Sequence, residues 1–304
     1  MTFWRKLFAH RKNKGFILAL GGGGGRGLAH LGVLDVLEEH KLRPDVIVGS
    51  SIGALFGAMY AMQPDAKAMI ERAKDILASQ PFSRLGLPSL EGANTQDQSW
   101  LSKLTAVARQ SILYTRAVTD RAIGDTDALI EIVTVFCGGE SFRDARIPLY
   151  VTAVRFPSGE CRLFSADTDV KLSCAIAASM AVPGVFDPVI VGGEKFVDGG
   201  LASELPSKEA KMVANANQLV LAVNVGSRPR PDVEPKNVYD MIDWSSQIKS
   251  LYLRQYDKDY ADVLIEPMVG FTQWNDFSNI EQEIDKGRQA ALERMPELIK
   301  KLRQ

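Results

Sequence analysis

The stretch GFILALGGGGGRGLAHLGVLDVL, Gly15 to Leu37, decides how the chain is read. Gly15-Phe16-Ile17-Leu18-Ala19-Leu20 is a short apolar run that stops abruptly in glycine, the pattern of a strand buried on both faces. Gly21 to Gly25 are unbroken glycine, followed by Arg26-Gly27. From Leu28 the spacing turns helical. Leu28, Leu31, Val33, Leu34, Val36 and Leu37 form an apolar stripe, with Asp35, Glu38 and Glu39 outside it. Arg43-Pro44 closes the unit, because the residue before a proline is pushed out of the helical region. The pattern then recurs. Val46-Ile47-Val48 is a second buried strand, Gly49 to Gly53 a turn, and Ala54 to Met62 a second helix closed by Pro64. Strand, glycine turn and helix, twice over, predict right-handed βαβ units and a parallel sheet.

Further along, residues 64–145 carry mostly helical spacing. A softer stretch from Pro81 to Ser99, rich in Gly, Pro, Ser and Asn, predicts a surface loop or flap. Leu149–Val154 and Cys161–Phe164 flank Pro157-Ser158-Gly159 and predict a hairpin. Val170–Ala181 reads as a small-residue helix stopped by Pro183-Gly184. Val189–Val197 reads as a hairpin around Gly192-Gly193 that leads into Asp198-Gly199-Gly200. Leu219–Val225 predicts another buried strand, and Ile280–Leu302 an amphipathic helix. Neither an internal repeat nor a domain linker stands out, so one domain is expected over residues 15–304, preceded by a basic leader over 1–14.

Composition limits the function classes. The chain has 304 residues, 46% hydrophobic and 24% charged, enough to bury a full core without disulfides or metals. Its 36 Lys+Arg against 37 Asp+Glu give no field that would draw nucleic acid. Three cysteines, Cys137, Cys161 and Cys174, form no CxxC pair, which argues against a disulfide framework or zinc cage and fits a reducing, cytoplasmic setting. Val46–Gln63 carries no charge but is short for a bilayer and is interrupted by Gly49-Ser50-Ser51, so a soluble protein is expected. The leader MTFWRKLFAHRKNK lacks the apolar core and cleavage site of a signal peptide. Phe3, Trp4, Leu7 and Phe8 share one helical face, with Arg5, Lys6, Arg11 and Lys12 elsewhere. That pattern suits peripheral contact with an anionic membrane surface. A frayed, solvated terminus would read the same way.

Two glycine motifs carry the chemistry. Gly22-Gly23-Gly24-Gly25-Arg26-Gly27 fits G-x-G-x-x-G, the dinucleotide fingerprint. That fingerprint needs an acidic residue about 20 positions on, at the end of the second strand. Here the second strand ends in Gly49-Ser50-Ser51, and Asp45 stands at its beginning. No Lys-Ser or Lys-Thr follows the glycines, so a P-loop is excluded. Gly49-Ser50-Ser51-Ile52-Gly53 is G-x-S-x-G between a strand and a helix, the setting of a nucleophile elbow. Ser51 holds the nucleophile's place in the pentapeptide, and Ser50 does not. The histidines, His10, His30 and His40, all precede Ser51, so a Ser–acid–His order along the chain is impossible. His30, one turn beyond the glycine loop, reads as a packed helix residue. What remains is a serine activated directly by a carboxylate. Asp198 is the candidate, because Asp198-Gly199-Gly200 follows a strand and its glycines admit close approach, although Asp-Gly alone is commonly a plain turn.

These pieces resemble the patatin-like phospholipases, and more closely the bacterial members related to the neuropathy target esterase catalytic domain. The matching segments are LALGGGGGRGLAHLGVL, VGSSIGAL, ASMAVPGVFDPV and FVDGGLASELP, spanning about residues 15–225. The resemblance implies a three-layer α/β/α fold with a mostly parallel central sheet and a Ser–Asp dyad needing no histidine, metal or cofactor. It implies Ser51 as nucleophile and Asp198 as base, with the amides of Gly23, Gly24 and Gly25 as oxyanion hole. The surrounding motif residues are Gly22, Arg26, Gly27, Gly49, Gly53, Gly199 and Gly200. The expected activity is hydrolysis of acyl esters of phospholipids or lysophospholipids. A weakly active lipid-binding protein of the same fold is the alternative. The cyclic-nucleotide domains and membrane helix of the large animal members are not expected in this chain. A carboxylate with its ordinary pKa of about 4 is a weak base for a serine hydroxyl, so the oxyanion hole is expected to supply much of the rate.

Overall fold

In β1 (Gly15–Leu20), Phe16, Leu18 and Leu20 pack toward one side of the sheet and Ile17 and Ala19 toward the other, all five buried. A strand covered on both faces has to lie centrally in a layered α/β structure. The computed structural model describes residues 14–85, 122, 124–137 and 141–304. Within them, β1 pairs in parallel with β2 (Val46–Gly49) on one edge and with β7 (Gln218–Val223) on the other. The strand order is β5 (Val189–Val191), β6 (Glu194–Asp198), β3 (Leu149–Arg155), β2, β1, β7 and β8 (Val263–Ile265), with β4 (Cys161–Phe164) paired to β3 off this path. The β2–β3 and β7–β8 pairs are also parallel. The two hairpins are antiparallel: β3 with β4, and β5 with β6. β6 returns antiparallel to β3, which sets Asp198 opposite Ala153.

The helices form unequal layers. One face carries α1 (Ala29–Glu39), α2 (Ile52–Met62), α3 (Ala66–Leu77), α5 (Thr126–Cys137), α6 (Leu172–Met180) and α9 (Ile280–Leu302), which bury the larger core. The other face is thinner: Ile17, Ala19, Val48, Val220 and Ala222 pack against Leu205 and Ala210 beneath α7 (Ser207–Val213). α8 (Val238–Lys258) adjoins α7. The result is a three-layer α/β/α fold with a mostly parallel central sheet. Among the described residues, no helix is long and apolar enough to cross a membrane.

Most expected elements fall where the sequence puts them, and the differences have physical causes. α2 starts at Ile52, directly out of the serine turn, and a 3-10 turn over Gly24–Leu28 precedes α1. Gln80–Arg84, inside the expected loop, forms the short helix α4 with Pro81 in its first turn, a position that spares a hydrogen bond. Residues 86–99 of that loop lie outside the described residues, as does the leader up to residue 13. Asp35, expected on the outer face of α1, is instead buried and ion-paired with Arg288 of α9. α9 covers the flank of α1 that a one-helix reading assigns to water. The contact is tight because Gly287 meets Ala29 O and Gly32 meets Ile284 O, where an added Cβ would stand 2.0 Å from each carbonyl oxygen. Acidic Glu281 and Glu283 in the first turn of α9 and Lys300 and Lys301 in its last complement the helix dipole.

Candidate active site

The parallel register brings the carboxyl ends of β1, β2 and β7 to one edge, where such folds place their ligands. The chain leaving β1 is threaded by hydrogen bonds from distant segments. Gly21 N–H donates to Val223 O at 3.1 Å, and Gly22 N–H to Glu204 O at 2.8 Å. Gly24 has φ +58°, which favours glycine, and a Cβ there would stand 2.0 Å from Trp274 O. The Gly25 amide donates to Trp274 O at 2.6 Å, whereas no acceptor for the Gly23 and Gly24 amides is found among the described residues. Of the three expected oxyanion donors, Gly25 is therefore already engaged, by a residue that no sequence motif connects with it.

Two buried side chains buttress this loop. Arg26 donates through Nε to Val225 O at 3.0 Å and through Nη1 to Thr272 O at 2.9 Å. Burial lowers its pKa to about 10, so it stays cationic at neutral pH. His30 is fully buried in α1, and its Nε2–H donates to Gly21 O at 2.8 Å. Burial lowers its pKa to about 4, which keeps the ring neutral. It is a packed helix residue that also anchors the start of the loop. Gly27 lets the 3-10 turn lie against Ile52.

β2 ends in the elbow. Ser51 has φ +53° and ψ −125°, a conformation side chains rarely adopt and a mark of stored backbone strain. Gly49 and Gly53 make the turn possible: Gly49 backs onto Ala54, and a Cβ on Gly53 would stand 2.2 Å from Leu20 O. Ser51 N–H donates to Ser179 Oγ of α6 at 2.9 Å, and Ser51 Oγ donates to Asp198 Oδ2 at 2.7 Å. Ser50, the other serine of the pentapeptide, is sealed from solvent and its hydroxyl has no partner among the described residues.

Asp198 ends β6, and its Oδ1 accepts the Gly200 amide at 2.7 Å. Gly199 allows the turn to sit against Thr152. Burial raises the Asp198 pKa to about 7, with the charge of Glu204 acting in the same direction; the bonds from Ser51 and Gly200 oppose the shift. The expected pKa near 4 is corrected by this: a buried carboxylate is costly to ionise, and the sequence does not reveal burial. Glu204 is held by buried Arg254 of α8, Nη1 to Oε2 at 2.6 Å.

Ser51 and Asp198 both line a cavity of about 900 Å³. One wall is apolar, with Leu55, Phe56, Leu129, Ile132, Phe136 and Phe186 from the α2, α5 and β5 side. The other is mixed and polar, with Arg228, Arg230, Asp240, Asp243 and Trp244. Ser179, Glu204, Arg254 and residues 270–277 complete the site with no sequence motif to single them out. The first two lie inside matched segments, ASMAVPGVFDPV and FVDGGLASELP, but nothing local marked them as touching the site.

Fold and site together define a class: an α/β/α protein whose strained serine elbow faces a buried carboxylate beneath a glycine loop. A family model described as "Patatin-like phospholipase" matches residues 18–211. The chain belongs to the patatin-like phospholipase family. It is 29% identical to "Lysophospholipase NTE1" of Kluyveromyces lactis over 217 residues, 69% of this chain and 12% of that protein. It is 27% identical to human "Patatin-like phospholipase domain-containing protein 6" over 218 residues, 71% of this chain and 14% of the relative. The chain thus spans a small part of the length of both. Among solved structures, VipD from Legionella pneumophila superposes with TM-score 0.53 at 16% identity, covering 94% of this chain and 67% of that one. Human GIVD cytosolic phospholipase A2 gives 0.52 at 10%, covering 96% and 60%. At these identities the likeness is one of fold.

Proposed function

We propose that the protein is a serine acyl hydrolase that cleaves acyl ester bonds of phospholipids or lysophospholipids, with Ser51 as nucleophile and Asp198 as its base. The observation that carries this reading is the 2.7 Å bond from Ser51 Oγ to Asp198 Oδ2, two residues that line a cavity with both apolar and polar side chains. Asp198 takes the Ser51 proton as Oγ attacks the ester carbonyl. The oxyanion that forms faces the uncommitted amides of Gly23 and Gly24, with the α2 amino terminus behind Ser51 adding a favourable dipole. Collapse passes the proton from Asp198 to the leaving alcohol. Water then attacks the acyl-enzyme, again with Asp198 as base, and frees the fatty acid. A base whose pKa lies near the working pH suits both half-reactions, since it must accept and return one proton. The acyl chain lies along the Phe56, Ile132 and Phe136 wall, and the polar remainder faces Arg228 and Asp243.

The same proposal places the enzyme in the cytoplasm, peripheral at a lipid surface, with residues 15–304 as one catalytic domain and 1–14 as its membrane contact. The test is hydrolysis of a medium-chain p-nitrophenyl ester and of phospholipid and lysophospholipid vesicles by wild type, Ser51→Ala and Asp198→Asn, each checked for folding by circular dichroism. Turnover in wild type alone supports the dyad. Undiminished turnover in Ser51→Ala overturns it, and vesicle binding without product in any sample points to a lipid-binding protein.

A further inference from the structure

We infer that Ser179 is a positioning residue for the reaction, and that Ser179-Met180-Ala181, where α6 ends, is a bracket fixing the nucleophile against its base. The inference rests on the reading of Ser51 and Asp198 as the dyad. These two residues come from strands that are not neighbours, because β3 lies between β2 and β6. Two strand spacings are about 9–10 Å, so the elbow has to lean across β3 for Oγ to reach the carboxylate. It does so after leaving the sheet: strand pairing ends at Gly49, and Ser51 at φ +53° belongs neither to β2 nor to α2. Sheet register therefore cannot hold the Ser51 peptide, and its N–H needs an acceptor from elsewhere.

That acceptor is Ser179 Oγ at 2.9 Å, 128 residues away in sequence. Two residues further on, Ala181 O accepts the amide of Asp198, also at 2.9 Å. One short segment thus holds the backbone of both partners, and Ser179 and Ala181 are fully buried, without room to shift. Met180, between them, lines the cavity. The hydroxyl at 179 is the one point in the bracket that depends on a side chain. Alanine offers no acceptor there, and a cysteine sulfur of similar shape is a weak one. Without that acceptor the Ser51 peptide is held only at its carbonyl, where Ser50 O accepts the Gly53 amide at 2.9 Å, so it can tilt about that bond and carry Oγ away from Asp198. Misplacement on the order of 1 Å costs roughly 100-fold in rate.

The experiment compares wild type, Ser179→Ala, Ser179→Cys and Ser51→Ala for ester turnover and for the rate of covalent labelling by a fluorophosphonate, with thermal melting as a folding check. Both position-179 variants are expected to lose about 10- to 100-fold in kcat with KM within about twofold, and to lose labelling rate in parallel. A purely structural role would lower the melting temperature and leave kcat per folded molecule intact. If Ser179→Ala fails to fold, the isosteric Ser179→Cys decides. Labelling that vanishes in Ser51→Ala but runs at the wild-type rate in the position-179 variants overturns the bracket and leaves the dyad standing. Labelling that persists in Ser51→Ala overturns both.

Discussion

Asp198 uses both carboxylate oxygens, Oδ2 accepting from Ser51 Oγ and Oδ1 from the Gly200 amide, each at 2.7 Å, while burial holds its pKa up at about 7. Only the ionised form can take the Ser51 proton. The value of kcat/KM is therefore expected to rise with pH through about 7 and to level off above it. Initial rates on a soluble ester from pH 5 to 9 check this. A profile flat down to pH 5 would separate Asp198 from proton transfer.

The same shift makes Asp198 a burden on the fold. Its pKa is about 7 folded and near 3.8 otherwise, so between these values the folded state holds a proton that the unfolded state has released. Stability from this group is then lost as pH rises from about 4 to about 7. Asp198→Asn removes the titration. Its melting temperature should match wild type near pH 4 and exceed it by several degrees at pH 8, at about 2–4 °C per kcal/mol. A gap that does not change with pH would contradict the buried-carboxylate account.

Gly24 combines φ +58° with Trp274 O beside the place of its missing Cβ. Gly24→Val should displace the loop and lose an amide donor, lowering kcat by about 10²–10³. Near-wild-type turnover in a folded Gly24→Val protein would remove this loop from the mechanism.

Gly287 on α9 leaves no space against Ala29 O. Gly287→Val should push α9 from α1 and destabilise the protein by about 1–3 kcal/mol. Denaturant melts measure this. Since α9 bears no reacting group, kcat per folded molecule should hold.

Removing residues 1–14 should weaken binding to anionic vesicles in co-sedimentation and leave soluble-ester turnover unchanged. Equal vesicle binding by the shortened and full chains would refute the leader as a membrane contact.

The elements bearing the glycine loop and elbow were legible because their signals are local: a strand-length apolar run, then glycine, then helical spacing. Ser51 and Asp198 stood out for the same reason, being set in punctuated turns. α8 was not legible. Its apolar Met241, Ile242, Tyr252 and Tyr256 are exposed and follow no core stripe. β8, three residues long, is shorter than any reliable alternation. The partners that finish the site are matters of tertiary contact: Trp274 on Gly25, Ser179 on Ser51, Arg288 on Asp35. No pattern within a window around Gly25 anticipates a carbonyl from Trp274.

β1 is an inner strand of the sheet, and both of its neighbours, β2 and β7, come later in the chain. β1 has to wait for β7, some two hundred residues later, and α1 for α9 beyond that. At roughly 5–20 residues per second, synthesis leaves these apolar surfaces without their native cover for tens of seconds. Pairings so distant in sequence also make for slow folding. Until β7 and the Trp274 segment arrive, the glycine loop lacks the carbonyls of Val223 and Trp274, so a nascent chain already carrying Ser51 would still lack the finished site. Assembly of the site would thus wait for β7 and the Trp274 segment, and a chain stalled before β7 would be exposed to aggregation with its glycine loop unfinished.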